Sequence, residues 1–338
     1  MMMTALKQTH VRISRLDRTL ITAVVLLSSV FPVELFSNTP PVPKGFDGQY
    51  SGKQGQVLVV KVKGEEQATE VQGTFLSRTI PFFREFRPGE PAGYIGLLGI
   101  DMQDEPGTYE LAVEVKQGEQ AKQLSFNVLV AKEKFAVEHL KLPKEKVDLD
   151  EKSVARWKAE QQLVQQALAE NSRLKLWHSN FVEPVNGKRT GIFGSVRIMN
   201  GQPRNPHNGE DIGAPMGADV ASSNDGVVRL TVDHVFSGRG VFIDHGLGFY
   251  TMYFHLSEVL VKDGDLVTAG QIIGKVGATG RATGPHLHWG VKLNGARVNP
   301  YSLLDLPFKN GVTPPTTATI STPTPETTPN PQAVPVKE

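Results

Sequence analysis

Apolar and polar residues alternate through three early segments: QVLVVKVK (56–63), TYELAVEV (108–115) and KQLSFNVLVA (122–131). A period of two sends successive side chains to opposite faces, which predicts half-buried β-strands. Turn-forming clusters such as DEPG (104–107) and KQGEQ (116–120) separate them. Several short strands with turn signals predict a β-sandwich-like module over residues 39–135. It carries no cluster of titratable side chains and is expected to support or position, not to react.

The period changes over 136–175. Val154, Trp157, Val164 and Leu168 recur at helical spacing among Lys, Glu and Gln, predicting an amphipathic connecting helix. Asp148 with Glu151 predicts a capping box at its start, and Trp157 reads as a packing residue. From 176 to 307 strand-like runs return, punctuated by glycine turns at NG (200–201, 294–295) and DG (225–226, 263–264). The fold class is mainly β: an antiparallel β catalytic domain with an open groove, preceded by the sandwich-like module and the helix.

The ends read differently. Lys7, Arg12, Arg15 and Arg18 precede the apolar run TLITAVVLLSSVF (19–31). A basic start and a run shorter than the ~20 residues of a membrane span predict a signal peptide over 1–38. An anchor extending to Phe36 is the alternative. The Thr/Pro-rich segment 308–338 lacks the apolar surface to fold and is predicted to be disordered.

Composition narrows the chemistry. The 338 residues suffice for two domains. A formal net charge of +1 offers no field for nucleic acid. There is no cysteine, so disulfides, thiolate ligands and a lipid-anchored start are excluded, and any transition-metal site must use His, Asp or Glu.

Six of the nine histidines fall between 207 and 288. In HNGED, His207 and Asp211 are too far apart along a straight strand to share a metal. A turn at Asn208–Gly209 is expected to bend them into a clamp. In GPHLHWG, His286 and His288 point to one face of a strand and Leu287 to the other. His207, Asp211 and one histidine of that pair make three ligands. The fourth tetrahedral position stays open, as in catalytic zinc sites. Spacing does not decide between His286 and His288. In FYTMYFHLS, alternation puts His255 on the face of Thr251 and Tyr253, outside the core. His245 reads as structural; Asp244, Arg197 and Asn200 as groove lining or turn-fixing residues.

These segments together resemble the lysostaphin/LytM-type zinc metalloendopeptidases. The likeness spans 193–300 through FGSVRIMNG, HNGEDIGAPMGADVAS, DGVV, IDHGLGFYTMYFHLS, VKDGDLVTAGQIIGKVGATGRATGPHLHWGV and VNP. It implies one zinc ion held by His207, Asp211 and His288, with His255 and His286 beside the reacting water. It further implies a monomeric, exported enzyme of the periplasm or cell envelope that hydrolyses peptide cross-links of peptidoglycan. Two rivals remain. One is an inactive wall-binding or amidase-activating relative, which would lack ligands present here. The other is a carrier domain, suggested by DGDLVTAGQIIGKVG, which would have no use for the His/Asp set.

Overall fold

The computed structural model describes residues 48–85, 93–169 and 172–306. The expected signal or anchor segment and the Thr/Pro-rich tail lie outside the described residues. All described residues belong to one compact unit, Val42–Glu338.

Seven strands come first: β1 (Gly48–Lys53), β2 (Val57–Lys63), β3 (Glu70–Phe75), β4 (Arg78–Glu85), β5 (Gly93–Gly99), β6 (Gly107–Gln117) and β7 (Gln120–Ala131). Their order is β1-β7-β6-β3-β4-β5-β2. β4 belongs to two layers: Arg78–Pro81 pair with β3, and Phe82–Glu85 with β5. The crossover closes the sandwich-like module around Val60, Phe75, Ile80, Leu98, Leu111, Val113 and Val128.

β5 differs from its neighbours because both of its faces are buried. Tyr94 and Leu98 enter the module's own core, while Ile95 and Leu97 enter a second one. That second core is completed from later in the chain by Trp177, Phe181, Phe249, Val291 and Leu293. Arg297 binds Asp101 through both carboxylate oxygens, at 2.7 and 3.0 Å. The sandwich-like module and the later sheet therefore share apolar interior, not just a linker.

The connector holds β8 (Val137–Leu140), a single turn α1 (Lys144–Val147) and the long helix α2 (Glu151–Ala169). Asp150, not Asp148, caps α2: its Oδ1 accepts the Ser153 N–H at 2.7 Å. The bond spans the N-cap-to-N3 distance, which puts the cap one residue before the helix. Val164 and Leu168 pack on Leu230, Phe242, Met252 and Phe254 of the main sheet. No helix among the described residues is long and apolar enough to cross a membrane.

The remaining strands are short at first: β9 (Lys188–Gly191), β10 (Val196–Met199), β11 (Gln202–Pro203), β12 (Gly209–Gly213) and β13 (Asp219–Ala221). Three long strands follow, β14 (Gly226–His234), β15 (Gly238–Gly246) and β16 (Phe249–Leu256). The last are β17 (Glu258–Val259), β18 (Leu266–Val267), β19 (Ile272–Lys275), β20 (Leu287–Leu293) and β21 (Ala296–Arg297). The main sheet runs β18-β14-β15-β16-β20-β12-β9, with β21 against β20, and its pairings are antiparallel. The small sheet β13-β19-β17 covers one face. Val220, Ile273 and Val276 meet Val241, Tyr253, Leu287 and Trp289 there. β8 pairs in parallel with β10, which carries the connector into the wall of the groove on the opposite face.

Candidate metal centre

Three donor atoms converge. His207 Nε2 lies 3.0 Å from Asp211 Oδ1, His288 Nδ1 lies 2.9 Å from the same oxygen, and the two nitrogens are 2.9 Å apart. Ligands about 2.0–2.1 Å from a tetrahedral zinc stand roughly 3.3 Å from one another, so this spacing suits one small cation. All three side chains are buried.

The expected turn at Asn208–Gly209 is not how the clamp closes. Gly209 is the first residue of β12, extended and paired with Gly290. What matters is its missing side chain. A Cβ at Gly209 would come 2.6 Å from His288 Nε2. The His288 ring therefore occupies the space above Gly209, between the side chains of His207 and Asp211. The register Asp211↔His288 across β12 and β20 fixes it there.

The surrounding hydrogen bonds set the tautomers. His207 Nδ1 donates to the Ile192 carbonyl at 3.1 Å, which leaves the Nε2 lone pair facing the site. Asp211 Oδ2 accepts from Arg197 Nη2 at 2.5 Å, and Arg197 Nε donates to Glu138 at 3.2 Å. Burial would raise the Asp211 carboxyl, but the close approach of the His207 and His288 rings outweighs it and holds the group far below the usual carboxylate range. Burial pushes His288 down to about 4, so its imidazole is neutral at ordinary pH. Two imidazoles and one ionised carboxylate, with His207 held from behind by the Ile192 carbonyl and Asp211 by Arg197, fit a zinc ion.

Two more histidines stand beside this set. His286 Nδ1 donates to the Gly284 carbonyl at 2.9 Å, and its Nε2 lies 3.7 Å from Asp211 Oδ1. His255 Nδ1 donates to the Thr279 carbonyl at 2.8 Å, and its ring centre is 4.7 Å from that of His286. Each leaves an Nε2 lone pair free. Burial, with His286 and His288 adding to it, pushes His255 down to about 3.

His255 reaches the site against the simple alternation. Tyr253 is wholly buried in the core on the far face, whereas Phe254 stacks on the His288 ring. Strict alternation would carry His255 with Tyr253, away from the metal set. The β15–β16 register shifts here, and His255 adopts φ +63°, a left-handed conformation that costs a non-glycine residue energy. Its backbone N–H is held by the Ser237 carbonyl at 2.9 Å. The bulge turns the imidazole back into the groove.

Leu287 faces the core, as expected. His245 is fully buried in a polar chain: Nδ1 donates to the Asp225 carbonyl at 2.7 Å, and Nε2 lies 2.7 Å from Thr251 Oγ1. Asn200 and Asp244 fix turns, through Leu142 and through the Gly246 N–H respectively. Arg197 lines the groove, as expected, and also braces Asp211. Its partner Glu138 was invisible in the sequence, since only the β8–β10 pairing brings it alongside. Trp157 packs on Phe236, with ring centres 6.0 Å apart. The groove has a volume of about 400 Å³ and is lined by the metal set, by His255, His286 and His234, by Arg197 and Arg281, and by the α2 face bearing Trp157, Glu160 and Val164.

Comparison with known proteins agrees with this geometry. The pattern of Peptidase family M23 matches residues 205–300. The peptidoglycan DD-endopeptidase ShyA of Vibrio cholerae is 50% identical over 94 residues, covering 28% of this chain and 22% of that protein. The DD-carboxypeptidase/endopeptidase Mpg of Neisseria meningitidis is 44% identical over 97 residues, 29% of this chain and 22% of that protein. The matched part thus spans under a quarter of these curated relatives. A Pseudomonas aeruginosa structure described as a peptidase M23 extends the likeness: it is 31% identical with a TM-score of 0.56, over 73% of this chain and 92% of that one. With nearly all of that relative covered, the chain belongs to peptidase family M23.

Proposed function

We propose that this protein is a zinc-dependent endopeptidase that hydrolyses peptide cross-links of peptidoglycan. The observation that carries this reading is the convergence of His207 Nε2, Asp211 Oδ1 and His288 Nδ1 within 3.0 Å of one another. Two further imidazole lone pairs, on His255 and His286, face the same groove. A zinc ion bound there supplies Lewis acidity and makes water a nucleophile near neutral pH.

The chain's own residues do the rest. His207, Asp211 and His288 are the ligands, and Arg197 fixes the carboxylate. The free Nε2 atoms of His255 and His286 orient the attacking water and take its proton. The one that accepts this proton donates a hydrogen bond to the oxyanion of the tetrahedral species and then passes the proton to the leaving amine as the C–N bond breaks, while the other stays neutral. An inactive relative is the weaker alternative, because all five positions are filled and directed at one point.

Residues 176–306 act as the catalytic domain and residues 48–131 as a positioning module. The bond cut is a D-Ala–diaminopimelate-type cross-link, in keeping with the names of the relatives. The protein is exported to the periplasm or cell envelope, by a signal or anchor within residues 1–38, and acts as a monomer. The test is incubation of the purified protein with cross-linked dimeric muropeptides and, separately, with pentaglycine. Release of monomers from the dimers, stopped by chelation and restored by zinc, is expected. Cleavage of pentaglycine alone overturns the substrate, and metal-independent cleavage overturns the mechanism.

A further inference from the structure

We propose that Arg281 is a specificity-determining residue whose guanidinium binds a free carboxylate of the peptide, next to the bond cleaved at the metal centre. This rests on the endopeptidase reading above.

Arg281 lines the same groove as the metal set. It sits on the loop between β19 and β20 that also serves both second histidines. Thr279, two residues earlier, accepts the His255 Nδ1 bond, and His286 follows five residues later. The Arg281 N–H is pinned to the Phe236 carbonyl at 2.8 Å. Its guanidinium lies 4.1 Å from the centre of the Phe236 ring, which in turn packs on Trp157 of α2. The side chain is thus held on an aromatic shelf, which lowers the entropy lost when it binds a ligand.

What it lacks is an anion. The other arginine lining the groove, Arg197, is committed to Glu138 and Asp211, and Arg204 is committed to Asp148, Gln202 and the Val147 carbonyl. Among the described residues no carboxylate pairs with Arg281. Its charged neighbours are Arg204 and Arg197, both of its own sign. Partial burial and these two guanidiniums push it down to about 10, so it is still charged at neutral pH. A half-buried, unpaired cation beside two others carries a standing electrostatic cost. An incoming carboxylate removes that cost, and a planar guanidinium can bind it through two hydrogen bonds. A neutral glycine chain offers no such group. In a diaminopimelate cross-link a free carboxylate sits on the carbon attached to the scissile nitrogen.

The experiment compares cross-linked dimers bearing free or amidated diaminopimelate carboxylates, using the full chain and its Arg281→Gln and Arg281→Lys variants. Amidation is expected to raise KM of the unaltered protein about 10- to 100-fold with little change in kcat, the range for a hydrogen-bonded charge pair. R281Q shows that same rise on the free dimer and no further rise on the amidated one. R281K falls between, and zinc content is unchanged throughout. Equal KM for the two dimers in the unaltered protein overturns the proposal. So does an R281Q loss that is equal on both dimers, or that comes with zinc loss. Calorimetric binding of the same peptides keeps the two readings apart. Arg281-dependent preference for the free form without cleavage sinks the endopeptidase and leaves the carboxylate site. Cleavage blind to amidation does the reverse.

Discussion

The interior of residues 48–131 and the interior of the groove-bearing sheet are both built from antiparallel strands, but they bury different things. In the first, the buried side chains are apolar except for Asp101 and Asn127. In the second, twelve polar side chains are buried between Ser195 and His288. Burying a polar group without partners costs several kcal/mol. The second interior offsets most of that cost by giving its polar groups, Ser223 Oγ excepted, directed partners, as in the chains Ile192–His207–Asp211–Arg197–Glu138 and Asp225–His245–Thr251–Tyr253. The first region is stable because of what it excludes. The second is stable only while its polar network is complete, and the same network orients the reactive groups.

The sharpest way to break the contrast is to remove one member of the metal set. Asp211→Ala, His207→Ala or His288→Ala should lower zinc content to near background and reduce peptide hydrolysis at least 1000-fold, on the order of the loss of a bound-metal mechanism. His255→Ala and His286→Ala should keep zinc, read by elemental analysis, while hydrolysis falls about 100- to 10,000-fold. Zinc lost from His286→Ala but retained in His288→Ala would reverse the assignment within the pair.

How much of this was written in the sequence depends on how local the signal is. The strands of 56–63, 108–115 and 122–131 were legible because one face of each is wet. In H-x-H the strand pleat alone sends both side chains to one face, whereas H-x-x-x-D was read through an expected turn that the structure replaces with an extended Gly209, and the choice of His288 came from the family resemblance. Three features were not legible. The bulge that redirects His255 leaves no trace in alternation, and Phe254, not Tyr253, shares its face. Glu138 reaches Arg197 only through a parallel pairing of segments 59 residues apart. Arg281 stands out only once its lack of an anionic partner is visible. A fourth feature did have a signal: the continuous apolar run YIGLLGI (94–100) is what a strand buried on both faces requires.

That strand gives the second test, which asks whether the two interiors melt separately. Leu97→Ala removes a side chain from the shared core, and Leu111→Ala one from the core private to the first module. Each should cost about 2–5 kcal/mol. Because β5 is common to both cores, both variants should lower a single transition seen alike by far-UV dichroism and by zinc release. Two separated transitions in either variant would show that β5 does not couple them.

The smallest expected effect concerns a polar group that belongs to the second interior yet stands apart from the metal. His245 is fully buried, and burial pushes it from 6.5 down to about 4. The Asp225 carbonyl accepts from Nδ1 and the Thr251 hydroxyl can serve Nε2 in either role, so it is complete burial that favours the neutral ring. The sign follows. Above pH 6.5 the ring is neutral whether the chain is folded or unfolded, and the full contribution is present. As pH falls from 6.5 toward 4, the unfolded chain takes up a proton that the folded one refuses, and stability is lost. Other buried histidines act in the same direction, so the difference between the protein and a His245→Asn variant is the useful quantity. Asparagine keeps a donor and an acceptor but does not titrate. The advantage of histidine over asparagine, read from urea unfolding, should shrink by on the order of 1 kcal/mol per pH unit across this window. A difference that stays constant from pH 7 to pH 4 would mean that His245 takes up its proton at the same pH in the folded and the unfolded chain, and that this part of the polar interior is not held together by a neutral ring.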